Sequence, residues 1–484
     1  MNFLIVLMDD VGVDQLEFYN VGSGPWADTS LAIDDIVADG VRFNRAYGNS
    51  ACSPTRATIQ TGRYSFRTGM TTALGDHEDF WLGHPTPIGP GDEYALPEMI
   101  KVREPDYDGN TAYFGKWHLV SEEETNFDPS DESFTHPNDE GWDYFYGETI
   151  RSSSDYEDWY KVVDGAAAVN VTNYMTTETF QDAIDRFTVA PIIAEPWVMM
   201  VAPKPPHKPY HCPPYATPSG CTLGTSTDPE MFRSALEALD YELSRLIAEI
   251  DSQLMLENTT IILLSDNGSF WQSIDSSSGI PRPTGGQRDI HKGTPYELGN
   301  RVPLIIAGAA ANGQEGTTRG ALVQTTDLFA TIAELAGVPF LGGGDDPPED
   351  SKSIVPLLNN TASSIRTYAY SEIVLDNDAT PPGPGLGPYN DTDTTDNWDP
   401  GESAHTVRNL SYRLVHRDDA EYELYDLSSA KWETISNDRI AVALGVLNLT
   451  GTEKTNFCQL RTKLEQPYPL ERPTTAPSLT GFCP

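Results

Sequence analysis

Several short apolar runs in this chain stop abruptly at polar or glycine residues. Phe3 to Met8 ends at Asp9-Asp10, and Trp197 to Ala202 ends at Pro203-Lys204. Thr260 to Leu264 ends at Ser265-Asp266-Asn267-Gly268, and Val302 to Ala307 ends at Gly308. Apolar runs of this length, without alternation, belong to strands buried on both faces, so the sheet they build needs helices on each side. Helical periodicity does lie between them. The clearest stretch covers roughly Met231 to Leu256, with Phe232, Leu236, Leu239, Leu243, Leu246, Ile250 and Leu254 on one stripe. Another follows Thr326-Asp327, buries Leu328, Ile332 and Leu335, and stops at Gly337. Strands alternating with helices predict an α/β fold with a mostly parallel sheet. Sites in such sheets form at the carboxyl ends of strands, which is where these polar residues sit.

The pattern changes toward the C-terminus. Gly342 to Asp350 predicts a connector and Pro381 to Pro400 a long loop. Tyr368 to Val374, Arg413 to His416 and Glu421 to Leu427 predict short strands, the last two nearly a hairpin. The expected organisation is a large domain over 1–359 and a smaller α+β domain over 360–484, the latter ending in a proline-rich tail. The chain shows no internal repeat. Its hydrophobic content of 38% suffices for a large core. With 31 Lys and Arg against 72 Asp and Glu, the net charge of −41 argues against nucleic acid as a partner. No apolar run approaches the roughly 18–20 residues of a membrane span.

Five cysteines are present, and two close pairs, Cys212 with Cys221 and Cys458 with Cys483, leave Cys52 alone. Local disulfides imply an oxidising compartment; the alternative is five reduced thiols. Glycosylation sequons at Asn170, Asn258, Asn359, Asn390, Asn409 and Asn448 agree with secretion. The chain opens with Met1 directly on a strand, without a signal peptide. A secreted or periplasmic protein would need a leader before that strand, so the expectation is that one has been trimmed and Met1 added.

Asp9 and Asp10 end one core strand, and Asp266 and Asn267 end another. Alone, Asp9-Asp10 reads as a turn and helix cap. Three carboxylates and an amide oxygen at one sheet edge would instead repel one another without a cation, and hard oxygen ligands suit Ca²⁺ or Mg²⁺ rather than zinc. Cys52 opens Cys52-Ser53-Pro54-Thr55-Arg56, followed by Ala57-Thr58-Ile59-Gln60-Thr61-Gly62-Arg63. It is either a buried thiol before a helix beginning near Pro54, or a nucleophile at a helix N-terminus with Arg56 one turn on.

Cys-x-Pro-x-Arg followed by Ala-x-x-x-Thr-Gly-Arg resembles the signature of the type I sulfatases, the formylglycine-dependent, arylsulfatase-like branch of the alkaline phosphatase superfamily. Gly115-Lys116-Trp117-His118-Leu119, Pro206-His207-Lys208-Pro209, Leu264-Ser265-Asp266-Asn267-Gly268, Lys292-Gly293-Thr294-Pro295-Tyr296-Glu297 and Glu423-Leu424-Tyr425-Asp426-Leu427 resemble further segments of that family, in its order. Two departures are visible. Glu297-Leu298-Gly299-Asn300 lacks a second glycine often seen after the glutamate, and Asn267 lies in a formal sequon although it is assigned to the metal.

The resemblance implies an alkaline-phosphatase-like sandwich over 1–359 and an activity of hydrolysing sulfate monoesters of aryl or carbohydrate alcohols. It implies that Cys52 is converted to formylglycine by a formylglycine-generating enzyme. Asp9, Asp10, Asp266, Asn267 and an oxygen of residue 52 would hold one Ca²⁺, with Mg²⁺ the second choice. Lys116 and Lys292 would bind sulfate oxygens, Arg56 would hold the formylglycine hydrate, His118 would serve it as a base, and His207 would stand near the leaving oxygen. One hydroxyl of the hydrate would attack sulfur and the other would expel sulfate. Two alternatives remain open at this point. One is a phosphonate or phosphodiester hydrolase sharing the signature; the other is a module that only binds sulfated ligands because Cys52 stays unmodified. The loops Ser121 to Glu148, Ser269 to His291 and Pro381 to Pro400 would set selectivity, and the acidity favours small or lightly sulfated substrates.

Overall fold

The computed structural model describes residues 1–74, 94–120, 134–149, 155–189, 195–282, 289–338, 350–374, 403–417, 422–434, 437–442, 446–465 and 482–483. The predicted connector at 342–349 and the loop at 381–400 lie outside them, as do most of the proline-rich tail and parts of the other two loops.

The apolar runs do form the centre of a large sheet. Its strands are β1 (Asn2–Met8), β2 (Gly40–Tyr47), β3 (Thr111–Lys116), β4 (Tyr144–Glu148), β5 (Trp159–Val163), β6 (Val169–Val171), β7 (Val198–Ala202), β8 (Thr259–Ser265), β9 (Arg301–Val302), β10 (Leu304–Gly308) and β11 (Thr317–Gln324). They lie in the order β11-β2-β10-β8-β1-β7-β3-β4-β5-β6, with β9 against β2. β1, β3, β7 and β8 are mutually parallel. β10 is antiparallel to β2 and β8, so the sheet is mixed although mostly parallel at its centre. An unbroken apolar run reports burial of both faces and carries no information on strand direction. The end of β10 at Gly308 therefore lies beside Thr260, at the amino end of β8 and away from the other strand ends.

Side chains on β1 alternate between two cores, as a period of two requires. Leu4, Val6 and Met8 join one cluster with Phe232, Leu236, Leu239, Leu243, Leu246 and Ile250 of the helix Asp228–Ser252. Phe3, Ile5 and Leu7 join the other, with Ala57 and Ile59 of the helix Cys52–Thr61 and with Leu328 and Ile332 of the helix Asp327–Ala336. Each such side chain, fully buried, contributes roughly 1.5–3 kcal/mol. The helix Asp228–Ser252 begins three residues earlier than its periodicity suggests, because Glu230 accepts the Thr227 backbone N–H at 2.7 Å and closes a capping box. It also ends earlier. Leu254, expected on the stripe, lies beyond the last turn with positive φ and is 92% exposed. Gly337 caps the helix Asp327–Ala336 with φ 81°, the left-handed C-cap its position predicts.

A second sheet is antiparallel in the order β12 (Ala369–Ile373), β13 (Ala404–Arg408), β14 (Tyr412–Arg417) and β15 (Tyr422–Asp426). Three of these strands are predicted by the sequence; β13 is not. One face carries Val407, Leu414 and Leu424 against Phe457, Leu460 and Leu464 of the helix Gly451–Glu465. On the other face, Ile373, Ala404, Val415 and Tyr425 join the β1 core, so the small sheet packs directly on the large one.

Candidate active site

Parallel register sets the site. Met8 pairs with Ser265, which brings Asp9 level with Asp266 one residue beyond the strand ends, and the Asp266 N–H donates to Met8 O at 3.1 Å. Gly115 pairs with Ala202, which carries Lys116 to the same edge. Cys52 is the first residue of its helix, two residues before the predicted start, so Pro54 lies within the first turn. The Cys52 Sγ lies 3.8 Å from Asp9 Oδ1 and 3.2 Å from Lys292 Nζ.

The structure brings all ten predicted residues to one place. Lys116 is paired with Asp9 and Lys292 with Asp10. His207 Nε2 stands 3.7 Å from Asp10 Oδ2. Asn267 Nδ2 donates to Asp10 Oδ1 at 2.8 Å. Arg56 uses every N–H it has. It donates to Asp266 Oδ2 from Nε at 3.1 Å and from a terminal nitrogen at 2.9 Å, and to Asp9, the Tyr113 hydroxyl and the Lys116 carbonyl. Arg56 thus ties the carboxylates of two strands together, rather than directing its donors to residue 52. His118 lies in the field of Lys116, Arg56 and Asp9, and takes the left-handed region at φ 56°; Asp10 does so at φ 65°. Such backbone strain in non-glycine residues gathers at functional sites.

Electrostatics divide these groups by role. Burial opposes ionisation of Asp9, yet Lys116, His207, Arg56 and Lys292 together hold it well below the usual carboxylate range. Asp10 is pushed up to about 6 by burial, with Lys292 pulling the other way. Burial also raises Asp266, helped by Asp9. Burial pushes the Cys52 thiol up to about 11 against the pull of Lys116 and Lys292, so as a cysteine it is a thiol at neutral pH. His118 is held neutral, by burial first and then by Lys116 and Arg56. Its Nε2 faces the Leu74 carbonyl at 3.1 Å and so carries the hydrogen, while its buried Nδ1 has no hydrogen-bond partner among the described residues. His207 Nδ1 faces the Lys208 carbonyl at 2.6 Å, which leaves Nε2 turned toward Asp10.

The donor set fits a hard cation. Among the described residues Asn267 Oδ1 is fully buried without a hydrogen-bond partner, which a lone amide oxygen tolerates poorly unless something electropositive meets it. Atoms of Asp9, Asp10, Cys52 and His207 also lie within 4.8 Å of one another. That grouping includes His207, where the sequence points to Asp266 and Asn267. The oxygen set is the better match to a Ca²⁺- or Mg²⁺-like ion, because a thiol and an imidazole beside two carboxylates would suit softer metals.

The loop of Lys292 is fixed from the small sheet. Glu297 meets Arg408 and Arg413 at 2.7 and 2.8 Å and the Tyr47 hydroxyl at 2.8 Å, while Arg413 also donates to the Pro295 carbonyl at 2.6 Å. Against burial, Arg408, Arg413 and Arg301 bring Glu297 down to about 2. Gly268 lies against this loop, its N–H donating to Gly299 O at 2.9 Å, and a Cβ there would fall 1.7 Å from Leu298 O. Gly268→Ala is therefore expected to cost about 1–3 kcal/mol or more by overpacking, and to lose activity at temperatures where it is still folded. Thermal melting and rate measured in parallel check this.

Sequence reasoning passes over several residues here. Lys204 lies just beyond β7 with its Nζ 4.8 Å from the Tyr156 ring centroid, and burial brings it down to about 8, opposed by Glu148. It is a strand-end residue like Asp9, and that rule alone points to it. Tyr113 lies mid-strand in an apolar run and has no such signal. Both expected disulfides are present, Cys212–Cys221 and Cys458–Cys483, and Cys52 is free and buried. The first closes a loop just after His207. A Cys212→Ser, Cys221→Ser double variant is expected to lose about 2–3 kcal/mol and to turn over more slowly, read by melting temperature and by rate.

A profile of the Sulfatase family matches residues 1–338. The chain belongs to the sulfatase family. Among curated sulfatases, N-acetylgalactosamine-6-sulfatase of Sus scrofa is 27% identical over 370 residues, 72% of this chain and 63% of that protein. The ulvan-active sulfatase of Formosa agariphila is 23% identical over 355 residues, 67% of this chain and 60% of that protein. The chain thus spans less than two thirds of the length of these curated relatives. Solved sulfatase-like structures share the fold. One, in complex with D-glucosamine-2-N,6-O-disulfate, has TM-score 0.68 at 18% identity and covers 97% of this chain and 98% of its own. A sulfatase from Pseudoalteromonas sp. has TM-score 0.65 at 19% identity and covers 97% of this chain and 91% of its own. Among the described residues no helix is long and apolar enough to cross a membrane.

Proposed function

We propose that this sulfatase-family chain hydrolyses sulfate monoesters of small carbohydrates, using residue 52 after its conversion to formylglycine by a formylglycine-generating enzyme. The observation that carries this is the seat of Cys52. It stands at a buried helix start, between Lys292 at 3.2 Å and Asp9 at 3.8 Å, at the edge where three carboxylates meet three fixed cations. The relative named N-acetylgalactosamine-6-sulfatase favours a carbohydrate alcohol over an aryl one. The net charge of −41 favours lightly sulfated substrates, since repulsion slows the approach of a polyanion outside a screening length of about 8 Å.

When formed, the hydrated aldehyde at position 52 supplies both the oxygen that attacks sulfur and the second hydroxyl that lets sulfate leave. Asp9, Asp10, Asp266 and Asn267 would hold the divalent ion, Ca²⁺ with Mg²⁺ second, which supplies compensation for sulfuryl charge. Arg56 keeps those carboxylates in place. Lys116 and Lys292 bring positive charge to the sulfuryl oxygens. His118 takes a proton at Nδ1. His207 stands with Nε2 beside Asp10, and when that nitrogen is protonated it donates to the leaving alcohol oxygen, where charge builds as the S–O bond breaks. His118 is buried and His207 half-buried, and burial holds both imidazoles well below their usual range. The two disulfides support an extracytoplasmic location for the mature protein.

The test is sulfate release from 6-O-sulfated N-acetylgalactosamine and N-acetylglucosamine, from an aryl sulfate, and from a phosphonate monoester and a phosphodiester. Release fastest from a sulfated sugar is the expected result. A phosphodiester or phosphonate turned over faster than every sulfate would overturn the reading in favour of the other hydrolase. Ligand binding without any turnover, with Cys52 intact by peptide mass, would leave only the binding module.

A further inference from the structure

One segment, Lys204 to His211, is wound around a single side chain that comes from elsewhere in the chain. The Tyr156 hydroxyl donates to the backbone carbonyl of His207. The Lys204 ammonium stands over the Tyr156 ring, 4.8 Å from its centroid. The His211 imidazole stacks on that ring, with centroids 3.8 Å apart and planes 21° from parallel. His211 Nε2 and the Tyr174 hydroxyl are 2.8 Å apart, which fixes the stacked ring in turn. Tyr156 is itself anchored, because its own carbonyl accepts the Met175 N–H at 2.9 Å at the start of the helix Met175–Val189, and it is only 2% exposed.

Lys208, beside His207, stands over the Phe270 ring at 3.7 Å, but the His207 side chain itself is less enclosed than its neighbours in the site. That side chain is 19% exposed, against 0–2% for Asp9, Asp10, Lys116 and Lys292, and its Nδ1 contact is to the carbonyl of the next residue. A contact within the same loop cannot fix that loop relative to the sheet. Tyr156 can, since it reaches the His207 carbonyl from the body of the fold.

We propose that Tyr156 is the positioning residue for His207, a spindle whose hydroxyl sets where Nε2 stands relative to the scissile oxygen. Burial keeps the phenol protonated, raised well above its ordinary range, so the donor persists wherever the protein is folded. The mechanical part of this inference stands on geometry alone. Its catalytic consequence rests on the reading of His207 as proton donor to the leaving oxygen.

Two measurements separate those parts. The first is the rate of carbethoxylation of His207 by diethyl pyrocarbonate, followed by peptide mass in the intact, folded protein. Tyr156→Phe keeps the ring and loses only the donor, and is expected to raise that rate several-fold; an unchanged rate overturns the positioning role whatever His207 does. The second is kcat/KM over a series of aryl sulfates of rising phenol pKa, for wild type, Y156F and H207A. Y156F is expected to lose about tenfold at the poor leaving-group end and less than twofold at the good end, with H207A steeper still. A purely structural role would lower every substrate by the same factor. If H207A runs parallel to wild type, the proton-donor reading fails; if H207A steepens while Y156F stays parallel, the spindle fails. Should Y156F not fold, His211→Ala removes the stacked ring while leaving the hydroxyl, and the same two measurements are expected to move in the same directions by smaller amounts. No movement in either would again overturn the proposal.

Discussion

Cys52→Ala is expected to abolish turnover, by on the order of 10⁴-fold or more as for loss of a nucleophile elsewhere, while the protein stays folded. Stability should change by about 1 kcal/mol, because one buried sulfur is removed and no ion pair is broken. The three cations and three carboxylates that surround position 52 remain paired with each other in the variant. Binding of a sulfated ligand should therefore survive the loss of rate. Cys52→Ser separates two further ideas. A serine oxygen could attack sulfur once, but the resulting ester lacks the second hydroxyl needed to eliminate sulfate, so at most one equivalent of alcohol per protein should appear. Sustained turnover by the serine variant would show that water can hydrolyse the ester directly, and the reason for converting Cys52 would disappear. The unmodified thiol, pushed up to about 11 by burial, is expected to be equally inactive, so specific activity should track the fraction of residue 52 found converted by peptide mass.

What the sequence revealed about this site follows from how local each signal is. Asp9, Asp10, Asp266 and Asn267 were legible because an apolar run ending in acids marks a strand end, and parallel strands put such ends on one edge. Register then did the rest, with Met8 opposite Ser265. The direction of β10 was not legible, since apolar character is the same read either way. β13 was missed for a different reason. Ala404–Arg408 carries His405 and Arg408, which look solvent-facing in sequence but are buried. Arg408 is satisfied by Glu297, 111 residues earlier in the chain, and a partner that distant leaves no local trace. The partners of Arg56 were likewise not legible. Helical spacing puts it one turn from Cys52, but its donors are claimed by two strand-end carboxylates and a carbonyl. Tyr156 was invisible because its contacts to Lys204, His207 and His211 depend on two segments about fifty residues apart meeting in space.

Removing the divalent ion is expected to have the second large effect. Three carboxylates and an orphaned amide oxygen converge on one sheet edge, and the fixed cations Arg56, Lys116 and Lys292 already balance the carboxylates. A sulfate ester entering that edge must draw positive charge from somewhere. If Lys116 and Lys292 turn to the ester, Asp9 and Asp10 are left uncompensated and repel it, unless a cation takes their place. Chelation should therefore lower the rate by several orders of magnitude and lower the melting temperature as well. An ion present at 100 times its dissociation constant stabilises the fold by about 2.7 kcal/mol, all of which is lost with it. Ca²⁺ should restore both better than Mg²⁺, because an irregular set of side-chain oxygens suits its looser coordination. The informative substitution is Asn267→Ala rather than Asp266→Ala. Asp266 also holds Arg56 at 2.9 Å, so losing it strands a buried guanidinium at a cost of about 3–5 kcal/mol and confuses two effects. Among the described residues Asn267 meets no cation, and its Nδ2 donates to Asp10 and to the Gly268 carbonyl. N267A is expected to bind the ion at least tenfold more weakly and to recover part of its rate at high Ca²⁺. If elemental analysis of active protein finds no divalent ion, or exhaustive chelation leaves the rate unchanged, the carboxylates serve only to anchor Arg56, Lys116 and Lys292.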